Sequence, residues 1–218
     1  MTIAANVGGV HVGLMHAEDL YTALMECRSL ACDEFDAHIV ASILAISFRE
    51  AAADGRTLTS ATGLLPDRLG ALIQEFFPKA ASWRLFAKGA AAVERSADEV
   101  CLLDLLQICT TSGTDFEAQL AAMIAKRAQR PNHLWQDLGL RSRGDLSELM
   151  RRHFKPLALR NSQDMKWKKF LYRIICADAS YTLCTAPSCA ECDDFDVCFG
   201  EETGESFLAR ARRVAEAG

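Results

Sequence analysis

The sequence predicts an all-α protein, a helical bundle that carries a C-terminal cysteine-rich loop for a metal cluster. Alanine and leucine are abundant, whereas only five of the 218 residues are proline, a balance that favours helix over strand. Apolar residues recur at intervals of three and four through most of the chain, as they do on the buried face of an α-helix. Near the C-terminus this periodicity gives way to four closely spaced cysteines.

The periodicity divides the chain into three parts. Residues 1–16 are interrupted by polar residues and glycines, and we expect them to be weakly ordered. Residues 17–130 are predicted to form an N-terminal helical bundle. Residues 131–218 are predicted to form the C-terminal cluster-binding region, continuous with the bundle in one fold.

Three helices are predicted in the first half of the bundle. The first follows an apolar pattern from Asp19 to Leu30. The second covers about residues 35–53 and has a broad apolar face that ends before Gly55. The third begins at Pro66, a residue well suited to the first helical position, and stops at Pro78.

Two capping boxes mark the remaining helices of the bundle. Ser96 is followed three residues later by Glu99, and Thr114 is followed in the same way by Glu117. In this motif the two side chains satisfy free backbone N–H groups at a helix start. The two helices are expected to form an antiparallel pair, of which the second ends near Pro131.

Beyond the bundle, the clearest helix has a single apolar stripe. A short aromatic segment, residues 133–140, and a helix begun by Asp145 precede it. A last helix is predicted over residues 205–217. The stripe residues lie at helical spacing and are Trp167, Phe170, Leu171, Ile174 and Ile175.

The cysteine loop has the spacing C-x4-C-x2-C-x5-C, formed by Cys184, Cys189, Cys192 and Cys198. Four thiolates satisfy either a tetrahedral zinc ion or a four-iron cluster, and a mixed-metal cluster with one exchangeable corner is a third possibility. The gaps favour an iron–sulfur cluster over zinc, since they do not form the paired CxxC motifs of a zinc ribbon.

The charge is unevenly placed along the chain. The net charge of −5 argues against nucleic acid as a partner. Residues 151–173 nevertheless hold eight Lys or Arg and one acid, whereas residues 191–206 hold seven acids and no base. Four cations on the predicted helix are candidate contacts for an anion or an acidic partner, the alternative being a solvated cationic face. They are Lys166, Lys168, Lys169 and Arg173.

The sequence predicts a cytoplasmic protein. It shows no basic segment followed by an apolar run at the N-terminus, as a secretory signal would require. No apolar run reaches the roughly 18–20 residues of a membrane span. Reduced thiols would then be available for metal rather than paired in disulfides.

The C-terminal third combines several segments in one order, a His-Leu-Trp segment, a basic-aromatic helix and the cysteine loop. These segments are His133–Leu140, Leu149–Phe154, Asn161, Met165–Arg173, Pro187–Cys189 and Cys198–Gly200. Together, over about residues 131–202, they resemble the NifQ family of nitrogenase cofactor assembly.

The resemblance implies a carrier rather than an enzyme. NifQ-type proteins carry a molybdenum–iron–sulfur cluster of the [Mo-3Fe-4S] type and pass molybdenum to the assembly of the iron–molybdenum cofactor, which involves the nitrogenase iron protein and the NifEN scaffold. Molybdate is one candidate source of the metal. By position, the four loop cysteines would be the cluster ligands. His133 and His153 lie in matching segments and are candidate ligands of the molybdenum corner, the alternative being structural histidines.

A competing hypothesis is an iron–sulfur or zinc module with a structural or nucleic-acid-binding role. Helix-hairpin-helix DNA glycosylases have a C-x6-C-x2-C-x5-C loop, whose last two gaps equal those found here. The first gap differs, and the chain lacks a convincing hairpin motif with the necessary glycines. Metal content would separate the two hypotheses.

Overall fold

The computed structural model describes residues 6–7, 10–11, 16–83, 93–178 and 202, with side chains for residues 16–83, 93–175 and 202. This part of the chain is helical except for a short antiparallel pairing of Asn6–Val7 (β1) with Val10–His11 (β2). The predicted all-α class is therefore confirmed. The cysteine loop and the predicted helix at residues 205–217 lie outside the described residues. The helices are α1 Ala17–Glu26, α2 Glu34–Asp54, α3 Leu58–Thr62, α4 Pro66–Phe76, α5 Ala97–Ile108, α6 Asp115–Arg127, α7 Leu134–Asp137, α8 Arg143–His153, α9 Lys155–Arg160 and α10 Trp167–Asp178.

Helix α2 is the central helix of the bundle. Its start is fixed by the Asp33 side chain, which accepts a hydrogen bond from the Asp36 backbone N–H at 3.1 Å. It ends at Gly55, which has the left-handed φ of 65° that glycine adopts without strain. Every residue from 37 to 47 is buried, so α2 is enclosed on all sides. The predicted helix over residues 35–53 is confirmed.

The two predicted capping boxes form differently. At α6, the Thr114 hydroxyl accepts from the Glu117 N–H, and the Glu117 carboxylate accepts from the Thr114 N–H. At α5, Ser96 caps the helix, but the Glu99 carboxylate binds Arg95 at 2.6 Å and Lys126 at 3.0 Å. The full box predicted there is therefore wrong. A buried carboxylate with two cations in reach is better stabilised by them than by a neutral N–H.

One hydrophobic core joins the bundle to the region after residue 130. Leu134 and Leu138 of the segment around α7 are buried in the same cluster as the side chains of α2 and α6. The predicted stripe of α10 also faces this core, with Trp167 and Leu171 4% and 0% exposed. Among the described helices, none has the length and apolar character needed to cross a membrane.

Gly139 lies where the segment after α7 passes close to α2. Its φ is 72°, and a Cβ built there would lie 2.8 Å from the Ser42 carbonyl oxygen. Gly139→Ala should therefore lower the free energy of unfolding by about 2–4 kcal/mol, from backbone strain plus overpacking. Urea denaturation measures it. Gly113→Ala is the control, because Gly113 has a φ of 69° but no atom within 4 Å of the added carbon. Equal losses at the two sites would contradict the packing argument.

Candidate metal centre

The four predicted cluster ligands, Cys184, Cys189, Cys192 and Cys198, lie outside the described residues. The structure describes the chain on either side of them, since α10 ends at Asp178 and the chain is described again at Glu202. Within the described residues, no three His, Cys, Asp or Glu side chains are placed to hold a metal ion.

Glu202 attaches the chain after the cysteine loop to the starts of α7 and α8. Its side chain is only 3% exposed, although it lies in an acidic run of the sequence. Its Oε1 lies 3.6 Å from His133 Nδ1, and its Oε2 lies 3.7 Å from Arg143 Nε. Both distances exceed that of a direct hydrogen bond, and the guanidinium of Arg143 places a positive charge next to the carboxylate.

Arg143 also fixes the turn that leads into α10. Its guanidinium donates to the Asp164 carboxylate at 2.6 Å and to the Asp164 carbonyl oxygen at 2.7 Å. Asp164 has a φ of 54°, a left-handed conformation that few residues other than glycine adopt. The Asn161 side chain makes two hydrogen bonds with the Met165 backbone, each of 2.9 Å. Arg143 thus ties together the start of α10 and the end of the cysteine loop.

The ammonium of Lys168 points into the protein. It donates to the Asn132 carbonyl oxygen at 2.6 Å, and also to the Arg130 carbonyl oxygen and the Asp137 carboxylate. A lysine has three N–H donors, so these three acceptors engage all of them. Burial lowers the pKa of Lys168, while its hydrogen bond and ion pair with Asp137 act in the opposite direction.

The other three predicted basic contacts lie on the same helix or directly before it. Lys169 and Arg173 are exposed, and Lys166 is half-buried. The ammonium of Lys168 is therefore engaged by the fold itself. Lys166, Lys169 and Arg173 remain candidates for contact with an anion or a partner.

Arg127 connects α6 to α2 and α7. Its guanidinium is 1% exposed and donates to both carboxylate oxygens of Glu50, at 2.7 and 2.8 Å. Its Nε donates to the Asp137 carbonyl oxygen at 2.6 Å. Burial opposes ionisation of Glu50, but hydrogen bonds and charge from Arg127 and Arg130 outweigh it and lower the pKa of Glu50.

The two candidate histidines lie apart. His133 begins α7 beside Arg143 at the start of α8, whereas His153 is the last residue of α8. Ten residue steps of α8, about 15 Å of helix, lie between Arg143 and His153. His153 Nε2 lies 3.0 Å from Asp36 Oδ1, and the ring packs edge-on against Phe116. Only His133 lies beside Glu202.

Glu202 is the residue of this region that the sequence did not single out. Its acidic neighbours in the sequence are typical of a solvated loop, so the sequence gives no sign that Glu202 is buried. The available signal was its position four residues after Cys198, at the point where the cysteine spacing ends.

The comparisons with known proteins agree on one family. A family model described as NifQ matches residues 39–200, a range that contains all four loop cysteines. The chain belongs to the NifQ family. It is 38% identical over 173 residues to the protein NifQ homolog of Sinorhizobium fredii, covering 79% of this chain and 75% of that protein.

Two further NifQ proteins are similar over most of their length. The chain is 40% identical to protein NifQ of Rhodobacter capsulatus over 163 residues, which cover 73% of this chain and 87% of that protein. It is 34% identical to protein NifQ of Azotobacter vinelandii over 142 residues, which cover 60% of this chain and 73% of that protein. No solved structure matches the chain.

Proposed function

We propose that this NifQ family member is a metal-cluster carrier of nitrogen fixation. It binds a molybdenum–iron–sulfur cluster of the [Mo-3Fe-4S] type through the four cysteines of its C-terminal loop. It donates the molybdenum to assembly of the nitrogenase iron–molybdenum cofactor. The observation that supports this proposal is the four-cysteine spacing inside the region that matches the NifQ family.

Four thiols suit a cluster whose molybdenum must be transferred to a partner protein. Three thiolates hold three irons, one to each, and the fourth thiolate either binds molybdenum or leaves it. A cube of four irons with a thiolate on each would be fully held and would be a poor donor. Molybdenum at the fourth corner accepts sulfur, oxygen or nitrogen ligands, and a corner with few protein ligands exchanges more readily.

The helical part of the chain would supply the fixed support for this transfer. Glu202 and α10 hold the chain on the two sides of the loop. Exposed Lys169 and Arg173 offer positive charge on α10, which would attract molybdate or dock an acidic surface of a partner. The partners in this proposal are the nitrogenase iron protein and the NifEN-type scaffold, both reached in the cytoplasm.

Single cysteine variants test the proposal. After anaerobic reconstitution with iron, sulfide and molybdate, we expect three of the four loop Cys→Ala variants to lose iron and molybdenum together. The fourth should lose molybdenum and retain iron. Elemental analysis per purified chain gives both contents. Cys101→Ala is the control, because Cys101 is exposed on α5 and outside the loop, and it should match the wild type.

Three results would count against parts of the proposal. Equal losses of iron and molybdenum in all four variants would contradict the division of labour among the thiols. A wild-type protein that binds no iron would overturn the carrier function. Stoichiometric zinc in place of iron would favour a structural zinc module.

A further inference from the structure

We propose that Tyr21 is a nucleophile that accepts an acyl group, with His38 as the base that takes the phenolic proton. Asp145 orients the imidazole, and Arg141 stabilises the negative charge that develops on the phenol oxygen. The substrate class is an activated acyl donor, such as an acyl imidazole or a thioester. The site lies among α1, α2 and α8, apart from the cysteine loop in the sequence, and it does not depend on the proposed carrier function.

The phenol of Tyr21 lies between a base and a cation. Its oxygen lies 3.0 Å from His38 Nδ1 and accepts a hydrogen bond from Arg141 Nη2 at 2.9 Å. Because a guanidinium has N–H donors and no acceptor, the phenolic proton is directed at His38. Tyr21 is half-buried and Arg141 is exposed, so a small solute can approach the phenol oxygen from the side of Arg141.

The direction of this hydrogen bond determines where the imidazole carries its proton. Nδ1 of His38 accepts from the phenol, so the neutral ring has its proton on Nε2. Nε2 lies 3.6 Å from Asp145 Oδ2, and the same oxygen accepts from the Arg141 backbone N–H at 3.1 Å. A phenol, an imidazole and a carboxylate therefore follow one another in the order nucleophile, base and orienting group, as they do at activated nucleophiles.

His38 Nε2 is the atom of this network that a purely structural role leaves unexplained. It is buried and, within the described part of the chain, has no hydrogen-bond partner. Buried polar atoms of native proteins are nearly always paired, because an unpaired one is unfavourable. Once His38 gains a proton, its positive charge faces the Asp145 carboxylate. The arrangement thus favours the imidazolium that forms when the phenol loses its proton.

His38 is kept neutral and able to accept a proton. Burial lowers the pKa of His38, and the charge of Arg141 acts in the same direction, while Asp145 opposes both. The charged groups that face the ring are these two, both from the chain at the start of α8. The uncharged polar neighbours are Tyr21 on α1 and Ser42 on α2, whose Oγ lies 3.4 Å from Nδ1. At neutral pH the imidazole is therefore available as a base.

The acyl transfer forms one bond and breaks one. The phenol oxygen of Tyr21 bonds to the acyl carbon, and the bond from that carbon to the leaving group breaks. The phenolic proton moves to His38 Nδ1 and then to the leaving group, so the imidazole ends neutral. Arg141 has five N–H donors, and those that do not bind the phenol oxygen can bind the acyl oxygen as it gains negative charge.

Acetylation by N-acetylimidazole tests the proposal on the purified protein. Peptide mass spectrometry follows the acetyl group on Tyr21 and on Tyr172 near neutral pH. Tyr172 is the internal reference, because it is also half-buried but accepts a hydrogen bond from the Gln129 amide at 3.2 Å. We expect Tyr21 to react at least about 100-fold faster, the usual contribution of a general base. Equal rates at the two phenols would overturn the proposal.

His38→Gln separates a base from a structural partner. Glutamine can accept the phenolic hydrogen bond but cannot take up the proton. Acetylation of Tyr21 should therefore fall at least about 100-fold, while that of Tyr172 should stay the same. Asp145→Asn should cause a smaller fall, because the amide still accepts from the Arg141 N–H but lacks the charge that stabilises the imidazolium. Unchanged acetylation of Tyr21 in His38→Gln would show that the imidazole is only structural.

The pH dependence of the wild type gives a test that needs no variant to fold. The rate of Tyr21 acetylation should be level between about pH 7 and pH 8, because His38, whose pKa is lowered, has already lost its proton there. The pKa of Tyr172 is raised by burial, so its rate should rise about tenfold over the same range, in proportion to the phenolate. A tenfold rise at Tyr21 as well would mean that free phenolate attacks and that His38 is not the base.

Discussion

Lys168→Glu is expected to lower the free energy of unfolding by about 4 kcal/mol or more, whereas Lys169→Glu should change it by less than about 0.5 kcal/mol. The two lysines are adjacent in sequence and on the same helix. Lys168 is engaged by three acceptors, while Lys169 is exposed. Urea denaturation of the two variants, followed by circular dichroism, measures the difference.

The large loss of stability in Lys168→Glu follows from the groups that a carboxylate would contact at this position. The Lys168 ammonium contacts two backbone carbonyl oxygens and the Asp137 carboxylate, whose side chain is 1% exposed. A glutamate would place a second negative charge among acceptors only. It would leave Asp137 without its cation, which is the costly way to break a buried ion pair.

A neutral variant separates charge repulsion from loss of contact. Lys168→Met keeps most of the side-chain length and should be destabilising, but less so than Lys168→Glu. If Lys168→Glu and Lys169→Glu were equally stable, the inward position of Lys168 would be wrong. A charge reversal designed to test partner docking on α10 should use Lys169 and Arg173, because a Lys168 variant would confound docking with folding.

The long helices could be predicted from sequence because their signals are local. The buried run of α2, the Thr114 capping box and the stripe on α10 are each encoded within one or two turns of chain. Short helices left no such signal. Helix α3, with five residues, is too short to show a period, and α9 has only six residues and begins beside a proline.

The roles of these side chains could not be predicted, because they depend on contacts with residues that are distant in the sequence. Lys168 is satisfied by carbonyl oxygens of residues 130 and 132, which no pattern of side chains reveals. Glu99 belongs to a capping pattern, yet Lys126, 27 residues away, is one of its partners. Glu202 belongs to an acidic run, yet His133 and Arg143 draw it into the interior. A charge pattern in the sequence shows which charged residues are present, but it does not show which of them is buried.

Arg127→Met is the second change with a large expected effect, a loss of about 3–5 kcal/mol in the free energy of unfolding. The guanidinium makes a two-point contact with Glu50 and also binds the Asp137 carbonyl oxygen. Methionine fills a similar volume but leaves the half-buried Glu50 carboxylate with Arg130 as its remaining cation. Chemical denaturation at pH 7 measures the loss.

Arg68→Met is the matched control, because Arg68 forms a single ion pair with Asp115 and both side chains are more than half exposed. Such a surface pair contributes about 1 kcal/mol or less. The double variant Glu50→Gln with Arg127→Met should lose less free energy of unfolding than the two single variants lose in sum. The reason is that the double variant has no Glu50 carboxylate that could be left without Arg127. Equal losses in Arg68→Met and Arg127→Met would contradict the buried pair.

The pH dependence provides an independent check on the same pair. The pKa of Glu50 is lowered in the folded protein, so its ion pairs stabilise the fold fully above the unfolded pKa of about 4.3. That contribution is lost as the pH falls through the lower, folded pKa. In Arg127→Met the pKa of Glu50 should rise, and the variant should lose less stability than the wild type between pH 5 and pH 3. The difference in the free energy of unfolding between the wild type and Arg127→Met should therefore become smaller as the pH falls. A defect in apolar packing would not produce this pH dependence.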